Sequence, residues 1–318
     1  MSTTSVLTKP VLAHDQAEEM LRGKKLVFLV GSPRSGTTWL QLLLLQPLAV
    51  TTVPETNLFT QYMRSMVEQW NIDQMTGEPI GLTKLLGEEE FRALLRTVSG
   101  FVFAKIAQRK PSATIILEKT PRHLNYAREI LDLWPEAHFI HIIRDPRAVV
   151  ASMRAASKSW AAQWASSKIS WNCEAWLADV SSGRQIASLT QNYQEVFYHE
   201  LITDGPHVLM GIFNKLGVPS SLEDCQRYID ECNIENLKRL NPPTGFYRLG
   251  KTDSWKVELS TWEIALVERI AGPLMSELGF EPAIDNKAVS VLVDMAWTAL
   301  GAARAAKRRL RNFLERRR

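Results

Sequence analysis

Cysteine is scarce in this chain of 318 residues, which contains Cys173, Cys225 and Cys232 and no others. Their number is odd and their spacing does not match a metal site, which argues against a disulfide-rich secreted scaffold. No other group of His, Cys, Asp or Glu has the spacing of metal ligands, so no metal is predicted. Buried free thiols in a reducing compartment are therefore expected.

Targeting signals are also missing from the sequence. Residues 1–22 do not combine a charged start with an apolar run, so they predict no secretory signal and are interpreted as a leader. The longest apolar stretch outside the expected core, residues 288–303, contains Asp294 and is shorter than the ~20 residues that cross a bilayer. A soluble, cytoplasmic protein is the expectation.

Positive charge is concentrated at one end of the chain. The net charge is +4, but residues 301–318 hold eight Lys or Arg and one Glu, and the other residues carry 30 basic and 33 acidic side chains. No nucleic-acid partner is therefore predicted. Segment 284–318 predicts a basic amphipathic helix, and three interpretations of it remain open: contact with an anionic membrane surface, contact with a partner, or a solvated end. The oligomeric state is not predicted.

A glycine- and hydroxyl-rich turn stands between two apolar runs near the start of the chain. Residues 26–46 read LVFLVGSPRSGTTWLQLLLLQ and predict a strand at 26–30, a turn, and a helix at 37–46. Free backbone N–H groups at a helix N-terminus bind anions. A loop that binds a nucleoside triphosphate would have lysine at position 37, where this chain has threonine. The residues expected to hold the anion are Arg34, Ser35, Gly36, Thr37 and Thr38.

The rest of the chain alternates between short β-rich runs and helical patterns. The further strands are predicted at 50–53, 113–117, 138–143 and 195–198, and one helical pattern runs from 148 to about 189. Such alternation is typical of βαβ units. The sequence therefore predicts an α/β fold, in which a P-loop-like parallel sheet is flanked by helices on both faces. One domain, residues 23–283, is expected between the leader and the tail at 284–318.

Two stretches resemble the nucleotide-binding elements of one enzyme family. PRSGTTW at 33–39 resembles the 5′-phosphosulfate loop of sulfotransferases that use 3′-phosphoadenosine-5′-phosphosulfate (PAPS). HIIRDPRAVVASMR at 141–154 resembles their 3′-phosphate element, which would place Arg144 and Ser152 on that phosphate. The resemblance implies PAPS as co-substrate, its desulfated form PAP as product, and no metal.

Two later stretches extend the resemblance. YRLGKTDSWK at 247–256 is similar to the loop that closes over the nucleotide, so Arg248, Gly250 and Lys251 are expected to contact it, although the sequence departs from the family pattern at positions 253 and 254. FYHELITDGP at 197–206 resembles an adenine-side segment that includes Tyr198. Trp39 is the other expected adenine neighbour, and burial in the core is an equal alternative for it.

The resemblance also implies the groups that transfer the sulfuryl unit to a hydroxyl-bearing acceptor. LEKTPRHL at 117–124 and VPETNLF at 53–59 resemble the carbohydrate and glycosaminoglycan branch, in which Lys119 would support transfer beside Arg34 and Glu55 would be the base. The cytosolic small-molecule branch has its histidine base where this chain has Pro121. His123 is the alternative base.

Two other functions are alternatives to sulfuryl transfer. A P-loop kinase is disfavoured by threonine at position 37 and by the lack of an aspartate placed for Mg²⁺. A catalytically silent protein that binds PAPS or PAP is disfavoured because Arg34, Glu55 and Lys119 occur together.

The acceptor pocket is expected from stretches 56–80 and 155–176. Within the second stretch, Trp160, Trp164 and Trp171 fall at helical spacing. Either core packing or a stacking wall for a sugar or aromatic acceptor would explain that spacing.

Overall fold

Five short apolar runs form one parallel sheet in this computed structural model, which describes residues 12, 14–76, 78, 80–239 and 252–315. The strands are β1 (Lys25–Gly31), β2 (Val50–Thr52), β3 (Ile115–Glu118), β4 (His138–Ile143) and β5 (Tyr193–Phe197). They lie in the order β2-β3-β1-β4-β5, and every pair is parallel. The predicted P-loop-like α/β fold with a single domain is confirmed; β4 has the predicted bounds, and the other predicted strands differ from the structure by one or two residues at one or both ends.

The central strand is buried on both faces of the sheet, as a parallel strand requires. Side chains alternate along it, so Phe28 packs with Phe59, Phe103 and Phe139 on one face. On the other face Leu29 belongs to a cluster supplied by the next helix and by later helices. This continuous apolar run fixes β1 in the centre of the domain.

Fourteen α-helices are present among the described residues. They are α1 (His14–Leu21), α2 (Thr37–Leu44), α3 (Arg64–Met75), α4 (Glu88–Ala107), α5 (Ala127–Leu133), α6 (Pro146–Ser157), α7 (Ile169–Gln185), α8 (Tyr198–Thr203), α9 (Gly205–Leu216), α10 (Leu222–Glu231), α11 (Ile234–Lys238), α12 (Trp255–Glu258), α13 (Thr261–Glu277) and α14 (Lys287–Glu315). A π-helix at Leu58–Met63 and 3₁₀ turns at Gly81–Lys84, Pro121–Tyr126 and Ile186–Ser188 complete the structure. Helices cover both faces of the sheet.

The helical pattern predicted from 148 to 189 is two helices rather than one. Helix α6 begins at Pro146, and the Asp145 side chain accepts a hydrogen bond from the Arg147 N–H at its start. It ends at Ser157, and α7 begins at Ile169. The serine hydroxyls at 157 and 159 compete for backbone hydrogen bonds and favour a turn over a helix, and residues 158–168 form turns and irregular structure near the ligand edge of the sheet.

All five strands point the same way, so their carboxyl ends meet at one edge of the sheet. Open α/β sheets bind ligands at that edge, where the order of the strands changes direction. Here β2 and β3 lie on one side of β1, and β4 and β5 lie on the other. The loops after β1, β2, β3 and β4 carry Arg34, Glu55, Lys119 and Arg144. The topology alone therefore brings the predicted anion loop, the predicted base and the two further cations to one place.

The carboxyl-terminal segment is helical over a longer range than its apolar stretch. Helix α14 is continuous from Lys287 to Glu315. By length and composition its part Lys287–Arg309 could cross a membrane, so the expectation that this stretch is too short is wrong. The helix continues because the alanines and basic residues after position 303 are good helix formers. The boundaries of the leader, the domain and the tail stay predictions.

Candidate active site

The loop between β1 and α2 is shaped to receive an anion. Arg34 and Gly36 both have left-handed backbone conformations, with φ of 74° and 104°. A Cβ atom at Gly36 would lie 2.6 Å from the Tyr198 ring, so glycine is required there by conformation and by space. Among the described residues, no side chain caps the start of α2. Its backbone N–H groups are therefore available to an anion.

Two hydroxyl groups in this loop support the same conclusion. The Ser35 Oγ is buried and has no hydrogen-bond partner among the described residues. Thr37 is also buried, in the first turn of α2. A buried hydroxyl without a partner costs free energy that a bound ligand would recover. The predicted anion-binding residues thus fit a phosphate or sulfate group.

Arg34, Ser152 and Arg144 form a chain of contacts that joins the first two predicted motifs. The Arg34 Nε donates to the Ser152 Oγ at 3.1 Å, and the Arg144 Nη1 donates to the Arg34 carbonyl oxygen at 3.2 Å. Ser152 lies on α6, two turns after Arg144. The loop after β1 and the loop after β4 are therefore one connected cationic surface.

Arg144 also stacks on an aromatic side chain. Its guanidinium carbon lies 4.1 Å from the centre of the Tyr198 ring, and the Tyr198 ring lies 5.7 Å from the Trp39 ring in an edge-to-face arrangement. The Trp176 Nε1 donates to the Arg144 carbonyl oxygen at 3.0 Å and fixes the end of β4. Trp39 is partly exposed and not fully buried in the core. A flat ring and a phosphate can both bind at such a surface.

A cavity of about 450 Å³ opens beside this aromatic surface. Arg144 and Tyr198 line it together with Trp255 and Lys256, which belong to the third predicted motif. Arg248, Gly250 and Lys251 of that motif lie outside the described residues. Trp255 and Lys256, the described end of the third motif, therefore line the same cavity as Arg144 of the second motif.

The loops after β2 and β3 meet at an ion pair. The Lys119 Nζ lies 2.8 Å from the Glu55 Oε1 and 3.4 Å from the Thr38 Oγ1. Lys119 is 5% exposed, whereas Glu55 is 41% exposed and can be reached from solvent. The lysine therefore connects the anion loop with an accessible carboxylate.

A buried carboxylate next to Lys119 organises both of these loops. The Glu118 Oε1 accepts hydrogen bonds from the Thr56 and Thr120 hydroxyls, each at 2.7 Å, and its Oε2 lies 2.7 Å from the His123 Nδ1. Burial acts to raise the pKa of Glu118, but His123, Thr120 and Thr56 outweigh it and hold the pKa below its ordinary value. The partners of Glu118 are thus two hydroxyl groups and an imidazole.

His123 is enclosed by this network. It is fully buried, and the Phe59 backbone N–H donates to its Nε2 at 3.2 Å. An accepting Nε2 places the ring proton on Nδ1, which therefore donates to Glu118. Both ring nitrogens are thus engaged inside the protein.

A second buried carboxylate, which sequence reasoning missed, braces the anion loop. The Asp179 Oδ2 on α7 accepts from the Ser32 Oγ at 3.1 Å and lies 3.6 Å from the Arg122 Nε. Burial raises the pKa of Asp179, although Arg122 and Ser32 act in the opposite direction. The anion loop and the loop after β3 are thereby attached to one helix. No local pattern in the sequence signals a contact over so many residues.

Aromatic side chains extend outward from Arg34. Its guanidinium carbon lies 5.3 Å from the Trp160 ring centre, and Trp160 lies 5.6 Å from Trp164 in an edge-to-face arrangement. Trp164 is 52% exposed and Trp171 is 61% exposed, so core packing, one of the two explanations offered for them, is wrong. Trp160, which is partly buried, and Trp164 lie in the turns between α6 and α7.

The fold and this site together define a class of protein, and comparison with known proteins agrees. A profile of the sulfotransferase family matches residues 27–224. The chain therefore belongs to the sulfotransferase family and is an enzyme of that class.

Relatives by sequence are distant. The nodulation protein NoeE of Sinorhizobium fredii (strain NBRC 101917 / NGR234) is 23% identical over 296 residues, which cover 84% of this chain and 68% of NoeE. A putative protein-tyrosine sulfotransferase of Caenorhabditis briggsae is 30% identical over 130 residues, which cover 41% of this chain and 43% of that protein. These matches do not assign a branch within the family.

Solved structures share the fold. The sulfotransferase domain of the Synechococcus PCC 7002 olefin synthase aligns with a TM-score of 0.53 and 18% identity, covering 81% of this chain and 96% of that domain. Mouse sulfotransferase SULT7A1, solved with PAP, aligns with a TM-score of 0.53 and 14% identity, covering 90% of this chain and 94% of its own.

The buried Glu118 network predicts a loss of stability when its charge is removed. Glu118→Gln should lower the free energy of unfolding by about 3 kcal/mol at neutral pH, because an amide cannot accept from all of these donors. The pKa of Glu118 is depressed on folding, so its contribution is present above the ordinary carboxyl pKa and is lost as the pH falls through the folded value. Urea unfolding at neutral and acidic pH measures both effects.

The exposed Glu89 on α4 provides the control for this test. Glu89→Gln should leave the free energy of unfolding nearly unchanged at both pH values. If Glu118→Gln is as stable as the wild type at neutral pH, the network does not hold the two loops.

Proposed function

We propose that this enzyme transfers a sulfuryl group from PAPS to the hydroxyl of an acceptor, with Glu55 as the base. The observation that carries the proposal is the position of the Lys119 Nζ, 2.8 Å from Glu55 and 3.4 Å from Thr38. One cation thereby contacts both the loop suited to an anion and an accessible carboxylate.

PAPS fits the residues at this edge of the sheet. The uncapped start of α2 and the buried Ser35 hydroxyl suit the 5′-phosphosulfate, and Arg144 with Ser152 suits the 3′-phosphate. Tyr198 and Trp39 offer faces for the adenine. The structural neighbour from mouse was solved with PAP, which supports the same co-substrate for this chain.

The chain's own residues would act by positioning and by electrostatics. PAPS supplies an activated sulfuryl group when it is bound. Glu55 accepts the proton of the acceptor hydroxyl as the oxygen attacks, and it is exposed enough to meet the acceptor. Lys119 and Arg34 stabilise the negative charge that develops on the departing phosphate oxygen, and they are held in place beforehand.

Glu55 suits the role of base better than His123. The His123 ring is fully buried, its Nδ1 donates to Glu118 and its Nε2 accepts from the Phe59 N–H. Protonating Nε2 would break that backbone contact. We therefore propose that His123 positions the loops and that Glu55 takes the proton.

The acceptor would enter between Glu55 and the tryptophans that extend from Arg34. Exposed tryptophan faces stack on sugar rings and on aromatic rings. The segments around Glu55 and Lys119 resemble the carbohydrate branch, and the relatives include a nodulation protein and a putative protein-tyrosine sulfotransferase. We propose an alcohol acceptor, with a carbohydrate favoured, and a cytoplasmic enzyme that has no nucleic-acid partner.

The proposed contact between Arg144 and the 3′-phosphate can be tested by substitution. Arg144→Ala should weaken PAP binding by roughly 1.5–3 kcal/mol, or about 10- to 150-fold in Kd, because a charge-assisted contact is lost. Isothermal titration with PAP measures this effect. Arg92→Ala, which breaks a surface pair with Glu88, is the matched control and should bind PAP normally.

Thermal unfolding with added PAP or with added ATP and Mg²⁺ separates a sulfotransferase from a kinase. The wild type should be stabilised against heat by PAP and much less by ATP with Mg²⁺. Equal stabilisation by both ligands would favour the kinase, and an unchanged PAP affinity of Arg144→Ala would remove Arg144 from the nucleotide site.

The assignment of the base can be tested through Glu55. Glu55→Gln should bind PAP within a few-fold of the wild type while kcat falls by ~10² to 10⁴, because glutamine keeps the size of the side chain but cannot take a proton at neutral pH. Turnover with labelled PAPS and a sulfated product measures this loss.

His123→Asn is the companion variant. It should lower thermal stability through the Glu118 network but retain most of the kcat of the folded enzyme. An inactive, well-folded His123→Asn together with a near-normal Glu55→Gln would move the base to the loop after β3.

A further inference from the structure

Helix α14 presents different residues to the domain and to solvent. Val293 is 1% exposed against the domain, and Val289 and Trp297, one turn to either side, are partly buried. The Asp294 side chain is paired with Arg269 of α13. Because residues four apart share one face of a helix, these positions define the face that packs on the domain.

An apolar stripe lies on a different face of the same helix. Val291, Leu292 and Met295 are 57%, 56% and 65% exposed, and the spacing continues through the exposed Ala299 and Ala303. No described residue covers this stripe. Contiguous apolar surface of this kind marks a site of contact with a protein or a membrane.

Positive charge follows the stripe along the helix. Lys307, Arg308 and Arg309 are exposed, and no acidic residue occurs from position 295 to 314. The rest of the chain is slightly acidic. An apolar face combined with a concentrated basic end is the pattern of a helix that lies in the interface of an anionic bilayer.

We propose that α14 holds the enzyme on an anionic membrane surface. The apolar stripe from Val291 to Ala303 enters the headgroup region, and the basic residues that follow contact lipid phosphates. The proposal does not depend on the sulfuryl-transfer chemistry at the other loops.

The helix lies on the membrane and does not cross it. By length and composition the part Lys287–Arg309 could span a bilayer, but the described contacts argue against it. Val293 is buried on the domain and Asp294 is paired with Arg269, so this part of the helix cannot be surrounded by lipid while it stays docked.

A second copy of the chain whose helix runs parallel to this one is a poorer occupant of the stripe than anionic lipid. A parallel pair of these helices would bring two basic ends together, each with Lys307, Arg308 and Arg309 exposed. Their repulsion would oppose the contact, whereas anionic lipid neutralises the same charge.

The proposal can be tested with the full-length chain and lipid vesicles. Co-sedimentation is measured with vesicles of phosphatidylcholine alone and with vesicles that also contain phosphatidylglycerol. Binding to the anionic vesicles should be at least ~10-fold tighter and should weaken as salt is added. Equal binding to both kinds of vesicle, or to neither, would overturn the proposal.

A pair of matched variants separates the apolar stripe from charge alone. Leu292→Glu with Met295→Glu adds two negative charges on the stripe, and Ser290→Glu with Gly301→Glu adds the same charge on exposed positions away from it. The stripe variant should lose at least ~10-fold more affinity for anionic vesicles than the control. Equal losses would show that the stripe does not enter the membrane.

Two further results would contradict the proposal. Resistance of the vesicle-bound enzyme to alkaline carbonate extraction would indicate a helix that spans the bilayer. A dimer in light scattering that the stripe variant dissociates, without vesicle binding by the wild type, would assign the stripe to a second copy.

All variants replace exposed residues, so unchanged circular dichroism and melting temperature should accompany them.

Discussion

The arrangement of the reacting groups depends on one buried carboxylate that must be satisfied. Glu118 ends the third strand, is 2% exposed and accepts from Thr56, Thr120 and His123. An unpaired charge at this depth would be very costly, so the loops that supply these donors are fixed relative to one another. Glu55 precedes the first donor and Lys119 precedes the second. The contact between Glu55 and Lys119 at 2.8 Å therefore follows from the buried hydrogen bonds of Glu118, which hold the two loops together.

The same principle recurs on the other side of the anion loop. Asp179 ties that loop to α7 through Ser32, and Arg144 reaches the Arg34 carbonyl oxygen from the end of β4. Contacts on two sides thus hold the loop in one conformation. This preorganisation lowers the entropic cost of binding a ligand. Arg34 keeps a left-handed conformation in this loop, a strain that a residue other than glycine sustains only where the surroundings enforce it.

The sequence predicts the parts of this site that are local. The turn at 31–38, the strand that ends before Arg144 and the parallel direction of the strands all follow from short patterns, because apolar runs and helix starts are recognised over a few residues. The order of the strands in the sheet was not predicted. The break between α6 and α7 and the exposure of Trp164 were not predicted, since the spacing of tryptophans cannot say whether a helix continues beneath them. The partners of Glu118 and the role of Asp179 come from loops far apart in the chain, and only the folded arrangement brings them together.

The most direct test of the account is to follow the sulfuryl group itself. The wild-type enzyme is incubated with ³⁴S-labelled PAPS and a cell extract, and products are analysed by mass spectrometry. The account predicts that the heavy sulfate appears in a hydroxyl-bearing compound and that Lys119→Ala abolishes it, because the contact between the anion loop and Glu55 is lost. Labelled product formed equally well by Lys119→Ala, or an absence of label from every acceptor while PAP binding is intact, would contradict it.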